Sequence, residues 1–169
     1  MWIIAIAVVV LGYKAYGEEI ITLPVYVPKK QEVKQETKQE IPKSNEITYC
    51  ISKYSKLSGI PESVYYSIAK VESGLNPRAI NKNKNGTIDI GLMQVNSATA
   101  RYYGYNPNEL FDVCKNVEVA TLKLSDCINK WGYTLHAIGC YHSENLYYKV
   151  RYVKQFLKHY IKYNTKYNF

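Results

Sequence analysis

The sequence has neither a CxxC pair nor a Cys/His run with metal-ligand spacing, so the common structural zinc sites are excluded. It also lacks an apolar run long enough to cross a bilayer. The N-terminal run closes at Leu11, short of the roughly 20 residues that a membrane helix needs. Acidic side chains are scarce in one part of the chain only. Residues 47–169 carry 16 basic and 8 acidic groups against 6 of each in residues 1–46, so the net charge of +8 belongs wholly to the later stretch. A basic domain suits an anionic polymer, but also nucleic acid or a membrane surface, and charge alone does not choose among them.

At 169 residues and 47% hydrophobic content, the chain can bury the core of one ordinary domain. Residues 1–17 read as a signal peptide, since the short apolar run is followed by Ala15-Tyr16-Gly17, with small residues at both positions that a signal peptidase reads. No Lys or Arg precedes that run, and the alternative is a retained N-terminal anchor. Residues 18–46 form a low-complexity linker built on Lys30-Gln31-Glu32-Val33, Lys34-Gln35-Glu36-Thr37 and Lys38-Gln39-Glu40-Ile41. A four-residue repeat would stack Lys over Lys and Glu over Glu on a helix, so an extended, solvated tether is expected.

From residue 47 to 169 the pattern is helical. A helix over Thr48–Leu57 stops at Ser58-Gly59, and Pro61 opens a second one whose Val64, Ile68 and Val71 face the core and whose C-terminal end carries Glu72. Asn85-Gly86 marks a hairpin turn. The same stretch, Asn81-x-Asn83-x-Asn85-Gly86-x-Ile88-Asp89, imitates a calcium loop, but Asn replaces the first Asp and Leu92 the bidentate Glu, so no metal is expected. Val113–Lys130 and Thr134–Tyr141 read as further helices. A basic amphipathic helix closes the chain, with Leu146, Val150, Val153, Leu157, Tyr160 and Ile161 as its apolar stripe and Lys149, Arg151, Lys154, Lys158 and Lys162 opposite.

Export makes four cysteines more apt to pair than to stay free. Cys114 and Cys127 share one helix and stand about 20 Å apart, whereas a disulfide needs Cα atoms within about 7 Å. Cys127 and Cys140 flank the break at Trp131-Gly132-Tyr133 and can face each other across a helical hairpin, which leaves Cys50 for Cys114.

Two segments carry chemistry: Val71-Glu72-Ser73-Gly74-Leu75-Asn76-Pro77 and Asp89-Ile90-Gly91-Leu92-Met93-Gln94-Val95-Asn96-Ser97. A carboxylate at a helix end between apolar Val71 and Leu75 loses solvation, which favours the protonated form that a general acid for a glycosidic oxygen needs. With Glu72-Ser73, Gly91-Leu92-Met93-Gln94 and, less closely, Gly139-Cys140-Tyr141-His142, the chain resembles the bacterial soluble lytic transglycosylases from about Tyr49 to Lys149. The resemblance implies an α+β, predominantly α, lysozyme-like domain with a small β-hairpin. It further implies that Glu72 is the catalytic acid and base, that Ser73, Met93, Gln94, Asn96 and Tyr141 bind substrate, and that Tyr141 hydrogen-bonds to or orients the carboxyl. His142 stands where the family has Asn.

The implied reaction needs no cofactor. It cleaves between N-acetylmuramic acid and N-acetylglucosamine in peptidoglycan and leaves a 1,6-anhydro end. The chain looks most like the small, exported periplasmic transglycosylases that open the wall for type IV secretion systems, which implies secretion-apparatus components as partners. Asp89 leaves a second reading open. Animal c-type lysozymes also have a Glu-Ser helix end, an Asn-rich hairpin and an Asp shortly before a Gly-x-x-Gln-x-Asn run, and Asp89 is expected either to assist a hydrolysis or to cap or brace the hairpin through backbone amides. A non-catalytic wall-binding module is the third reading. Nucleic acid is not expected as a partner, because the Tyr-rich end of the chain shows an amphipathic stripe and follows an export signal; its lysine face suits a transient contact with wall polymer or membrane.

Overall fold

The computed structural model describes residues 45–167, without the side chain of Tyr167. The expected signal peptide and nearly all of the expected linker lie outside the described residues. Helix α1 (Glu46–Ser58) begins two residues earlier than the sequence pattern indicates, and its C-cap is Gly59. Helix α2 (Glu62–Ser73) starts after Pro61, which is its N-cap rather than a first-turn residue. Gly74 then takes a left-handed φ of 65° and closes α2 with its N–H on the carbonyl of Ala69. Leu75 is left-handed too, at φ 73°, so the chain leaves the helix sharply one residue after Glu72 and Ser73.

Strands β1 (Ile80–Lys82) and β2 (Ile88–Ile90) form the expected hairpin, with Gly86 at φ 80° in its turn. A third strand, β3 (Val95–Asn96), was not legible in the sequence because two residues carry no period. It pairs antiparallel with β2, setting Asn96 opposite Asp89, while β1 sets Asn81 opposite the same residue. Helix α3 (Ser97–Tyr102) and a 3₁₀ turn (Pro107–Phe111) lead to α4 (Val113–Trp131), whose first turn is capped by Asp112 accepting from the N–H of Lys115 at 2.8 Å. After Gly132 come α5 (Leu135–His142) and α6 (Leu146–Tyr167).

The result is a predominantly helical α+β domain. Helix α4 packs between α1 and α5, and α2 lies along α6. Tyr65, Ile68, Leu92, Met93, Leu124, Ile138, Tyr141 and Phe156 meet in one fully buried core. Both disulfides join elements that already pack: Cys50–Cys114 ties α1 to α4, and Cys127–Cys140 ties α4 to α5.

Helix α6 corrects one expectation. Leu146, Val150 and Ile161, placed on the apolar stripe, are exposed, whereas Tyr152, Phe156 and Lys149, placed outside it in Lys149's case, are buried. Lys149 can face inward because its stem is apolar and its ammonium has partners: Glu144 at 2.9 Å, His136 at 3.1 Å and the ring of Trp131. Among the described residues no helix is long and apolar enough to cross a membrane.

Candidate functional site

The Gly-Leu-Met-Gln segment is a tight turn wedged between α2 and α4. Asn116, fully buried, holds it: its Oδ1 accepts from the N–H of Met93 at 2.8 Å, and its Nδ2 donates to the carbonyls of Ile90 and Leu110. Gly91 is obligatory here. Its φ is 77°, and a Cβ would stand 2.5 Å from Asn116 Nδ2 and 2.7 Å from the Leu110 carbonyl oxygen. Gln94 closes the turn in the left-handed region at φ 46°.

Several residues singled out for substrate contact build this wall. Ser73 Oγ donates to the Leu92 carbonyl at 2.6 Å, pinning the end of α2 to the turn. Gln94 Nε2 donates to the carbonyls of Ala79 and Gly91. The Met93 side chain is fully buried, and what it offers is its carbonyl, which accepts from Tyr141 Oη at 2.8 Å. Tyr141 therefore bonds the turn, and of the two roles the resemblance implies, a bond to the carboxyl or its orientation, the observed hydrogen bond leaves the second. Burial first, and then the Glu72 charge, push the Tyr141 hydroxyl well above its ordinary value, so it stays a donor.

Asp89 is a brace, held by side-chain amides where backbone amides were expected. Its Oδ1 accepts from Asn96 Nδ2 at 2.7 Å, and its Oδ2 from Asn83 Nδ2 at 3.0 Å and Asn81 Nδ2 at 3.3 Å. The calcium-like pattern is thus a ring of donors around one carboxylate. Asn96 also caps α3, accepting from the N–H of Ala98.

Glu72 occupies the last turn of α2 with its side chain 13% exposed. His142, at the end of α5, sets Nδ1 3.9 Å from Glu72 Oε1, an ion pair when the imidazole is charged. The imidazole lies flat on Tyr152 of α6, with ring centres 4.6 Å apart and planes 6° apart. Tyr152 is buried, and its hydroxyl is without a hydrogen-bond partner at ordinary geometry among the described residues. Burial and then Glu72 raise that hydroxyl well above its usual value, which makes the carboxyl its electrostatic neighbour. From α4 comes Lys123, whose ammonium sits 4.8 Å over the Tyr141 ring. Burial lowers its proton affinity, against the pull of Glu72 and Asp89.

Helix ends and a turn therefore converge on Glu72, with the imidazole of His142 beside it and the phenol of Tyr152 stacked on that imidazole. Sequence reasoning singled out Glu72 and the turn beside it, and did not single out Lys123 or Tyr152. Both sit in helices where Lys and Tyr are common, and nothing in the local spacing sets either apart.

A protein-family model described as "Transglycosylase SLT domain" matches residues 49–158. Invasion protein IagB of Salmonella typhimurium is 35% identical over 98 residues, which cover 56% of this chain and 61% of the relative. Protein IpgF of Shigella flexneri is 35% identical over 98 residues, 56% of this chain and 64% of that protein. The matched region thus spans about three-fifths of these curated relatives.

Proposed function

Because the chain belongs to the transglycosylase SLT family, we propose that it is a peptidoglycan lytic transglycosylase that cleaves between N-acetylmuramic acid and N-acetylglucosamine. One observation carries the finer reading: Glu72 is a single carboxyl in a sheltered setting, while both oxygens of the second carboxyl, Asp89, are engaged by asparagine amides. A retaining hydrolysis needs a second carboxylate free to attack the sugar about 5 Å from the acid. A brace is poorly suited to that.

In the proposed reaction the Glu72 carboxyl donates its proton to the glycosidic oxygen, and the C–O bond to the leaving N-acetylglucosamine breaks. The muramic N-acetyl oxygen supports the developing charge. The Glu72 carboxylate then takes the proton of the muramic 6-hydroxyl as that oxygen closes on C1, which gives the 1,6-anhydro end and restores the acid without water. His142, stacked on Tyr152, stands 3.9 Å from the carboxyl, and the Asn116-clamped turn supports the end of its helix through Ser73.

Export to the periplasm is part of the same proposal, supported by the N-terminal segment and the paired cysteines. Local wall opening beside a secretion apparatus is supported by similarity to a protein named for invasion.

Digestion of purified peptidoglycan, followed by mass analysis of the released muropeptides, is the test. Anhydro ends are expected; reducing ends would make it a lysozyme, and no release a binding module. Glu72→Gln should lower release by about a hundredfold to ten-thousandfold, the usual worth of a general acid, while the melting temperature and wall binding persist.

A further inference from the structure

Helix α6 has two apolar faces. The inner one, with Tyr152 and Phe156, is buried against the domain. The outer one is formed by Leu146, Val150 and Ile161, which are 67%, 47% and 59% exposed. With the partly buried Leu157 between them, they keep helical spacing and make one stripe about 22 Å long. Beside that stripe, three and four residues apart, stand Arg151, Lys154, Lys158 and Lys162, all exposed. The 22 residues of α6 include six basic side chains and no acidic one. Lys149, the inward lysine, pairs with Glu144, whereas among the described residues no carboxylate lies within 4 Å of the four outer cations.

A single exposed leucine or lysine needs no explanation. An apolar edge running parallel to a row of unpaired cations does, because each half asks for a different kind of contact. A polyanion such as nucleic acid or the wall's acidic peptides would neutralise the cations and leave Val150 and Ile161 in water. An anionic bilayer takes both halves. Its headgroup phosphates meet the ammonium and guanidinium groups, the apolar edge enters the boundary with the acyl chains, and the lysine stems lie along that boundary with their heads in water. We propose that the outer face of α6 lies on an anionic phospholipid surface, with Leu146, Val150 and Ile161 at the acyl boundary and Arg151, Lys154, Lys158 and Lys162 among the phosphates. The helix lies on the surface and does not cross it, since among the described residues no helix is long and apolar enough to span a membrane. Its inner face keeps its place in the core. This goes beyond the proposed function and does not depend on the cleavage chemistry.

The test measures binding of the full chain to vesicles of phosphatidylcholine alone and of phosphatidylcholine with phosphatidylglycerol in equal amounts. The readout is the gain in affinity from neutral to anionic vesicles, to which residues 1–46, with 6 basic and 6 acidic groups, bring no net charge. Lys154→Gln with Lys158→Gln should cut that gain by about fivefold for each cation removed, roughly twenty-five-fold for the pair. Val150→Ser with Ile161→Ser should weaken binding to the anionic vesicles by about tenfold or more, on the apolar area these side chains still expose. Lys53→Gln with Lys56→Gln, which takes the same charge from exposed positions on α1, should keep the gain of the wild-type chain. Melting curves check that each variant is folded, and if the serine pair is not, Ile161→Ser alone takes its place under the same criterion. A wild-type chain without a preference for anionic vesicles, an undiminished gain in the α6 lysine variant, or an equal loss in the α1 variant would overturn the proposal. So would a serine variant that binds like wild type, since the contact would then be with charge alone. If the α6 lysine variant loses binding to purified peptidoglycan and not to vesicles, the face belongs to wall polymer and the proposal fails. Muropeptide release by the wild-type chain tests the cleavage reading separately, so either can fail without the other.

Discussion

Replacing Asp89 by Asn separates two roles for the second carboxyl of the site. As a brace, it accepts from three asparagine amides, so Asp89→Asn turns one acceptor oxygen into an NH2 group facing donors. An unsatisfied or opposed polar contact of that kind costs about 1–3 kcal/mol. A melting temperature several degrees below wild type is expected, with cleavage retained well below it. A nucleophile would give the opposite result: an unchanged melting curve and no cleavage, which would sink the single-carboxyl mechanism. The same site shows how individual residues were legible. Glu72 stood out because a helix end, two apolar neighbours and a Gly-rich turn coincide in the sequence. Ser73, Gln94 and Asn96 stood out as polar residues gathered at a turn, and the structure adds the bonds by which they hold that turn and its neighbours together. Spacing says which polar residues gather at a turn, and only the folded backbone says which groups they bond.

At the scale of elements, the junction of α5 and α6 holds a small charged cluster in which Lys149 bonds Glu144 and His136, and Lys130 bonds Glu144 from α4. Burial and then the Lys149 charge lower the His136 proton affinity below the usual value of 6.5. Because the folded value is depressed, the unfolded chain binds more protons between the two values, and stability falls as pH drops through that window. His159 contributes in the same sense, through burial and its lysine neighbours. Denaturant titrations between pH 7.5 and about pH 5 should therefore show decreasing stability, with a shallower decline in His136→Gln. An identical slope in that variant would remove the junction from the account. Glu144 adds a separate loss below the ordinary carboxylate range, because Lys149 and Lys130 hold its affinity down. This cluster also explains why the face of α6 was misread. Lysine counts as solvent-facing in any periodic pattern, and tyrosine fits either side. The inward turn of Lys149 depends on Glu144, His136 and Trp131, partners from three other places in the chain. Helices α2, α4 and α5 carry branched apolar residues at helical spacing between Gly and Pro stops, and their bounds were legible to within two residues.

For the molecule as a whole, the two disulfides divide stability from function. Cys50–Cys114 closes a sequence separation of 64 residues and Cys127–Cys140 one of 13. On chain-entropy grounds, losing the first costs about 4 kcal/mol and losing the second about 3 kcal/mol, so the long bridge is the larger stabiliser. Their relation to the site runs the other way. Cys50 and Cys114 join α1 to the start of α4, whose contribution to the site is Asn116, held to the turn by its own buried hydrogen bonds. Cys140 immediately precedes Tyr141, which bonds the Met93 carbonyl, and His142, which approaches Glu72. Without its bridge to α4, the end of α5 loses its covalent tie and keeps only packing, the Tyr141 hydrogen bond and the exposed Lys130–Glu144 pair. Cys50→Ser with Cys114→Ser should therefore lower the melting temperature more, yet leave cleavage near wild type at temperatures where the protein stays folded. Cys127→Ser with Cys140→Ser should lower it less and reduce kcat at those same temperatures. Melting curves and muropeptide release measured on both double variants check the pairing of effects. If the two variants lose activity only in proportion to their loss of stability, then the bridge beside Tyr141 has no part in holding the catalytic carboxyl's surroundings.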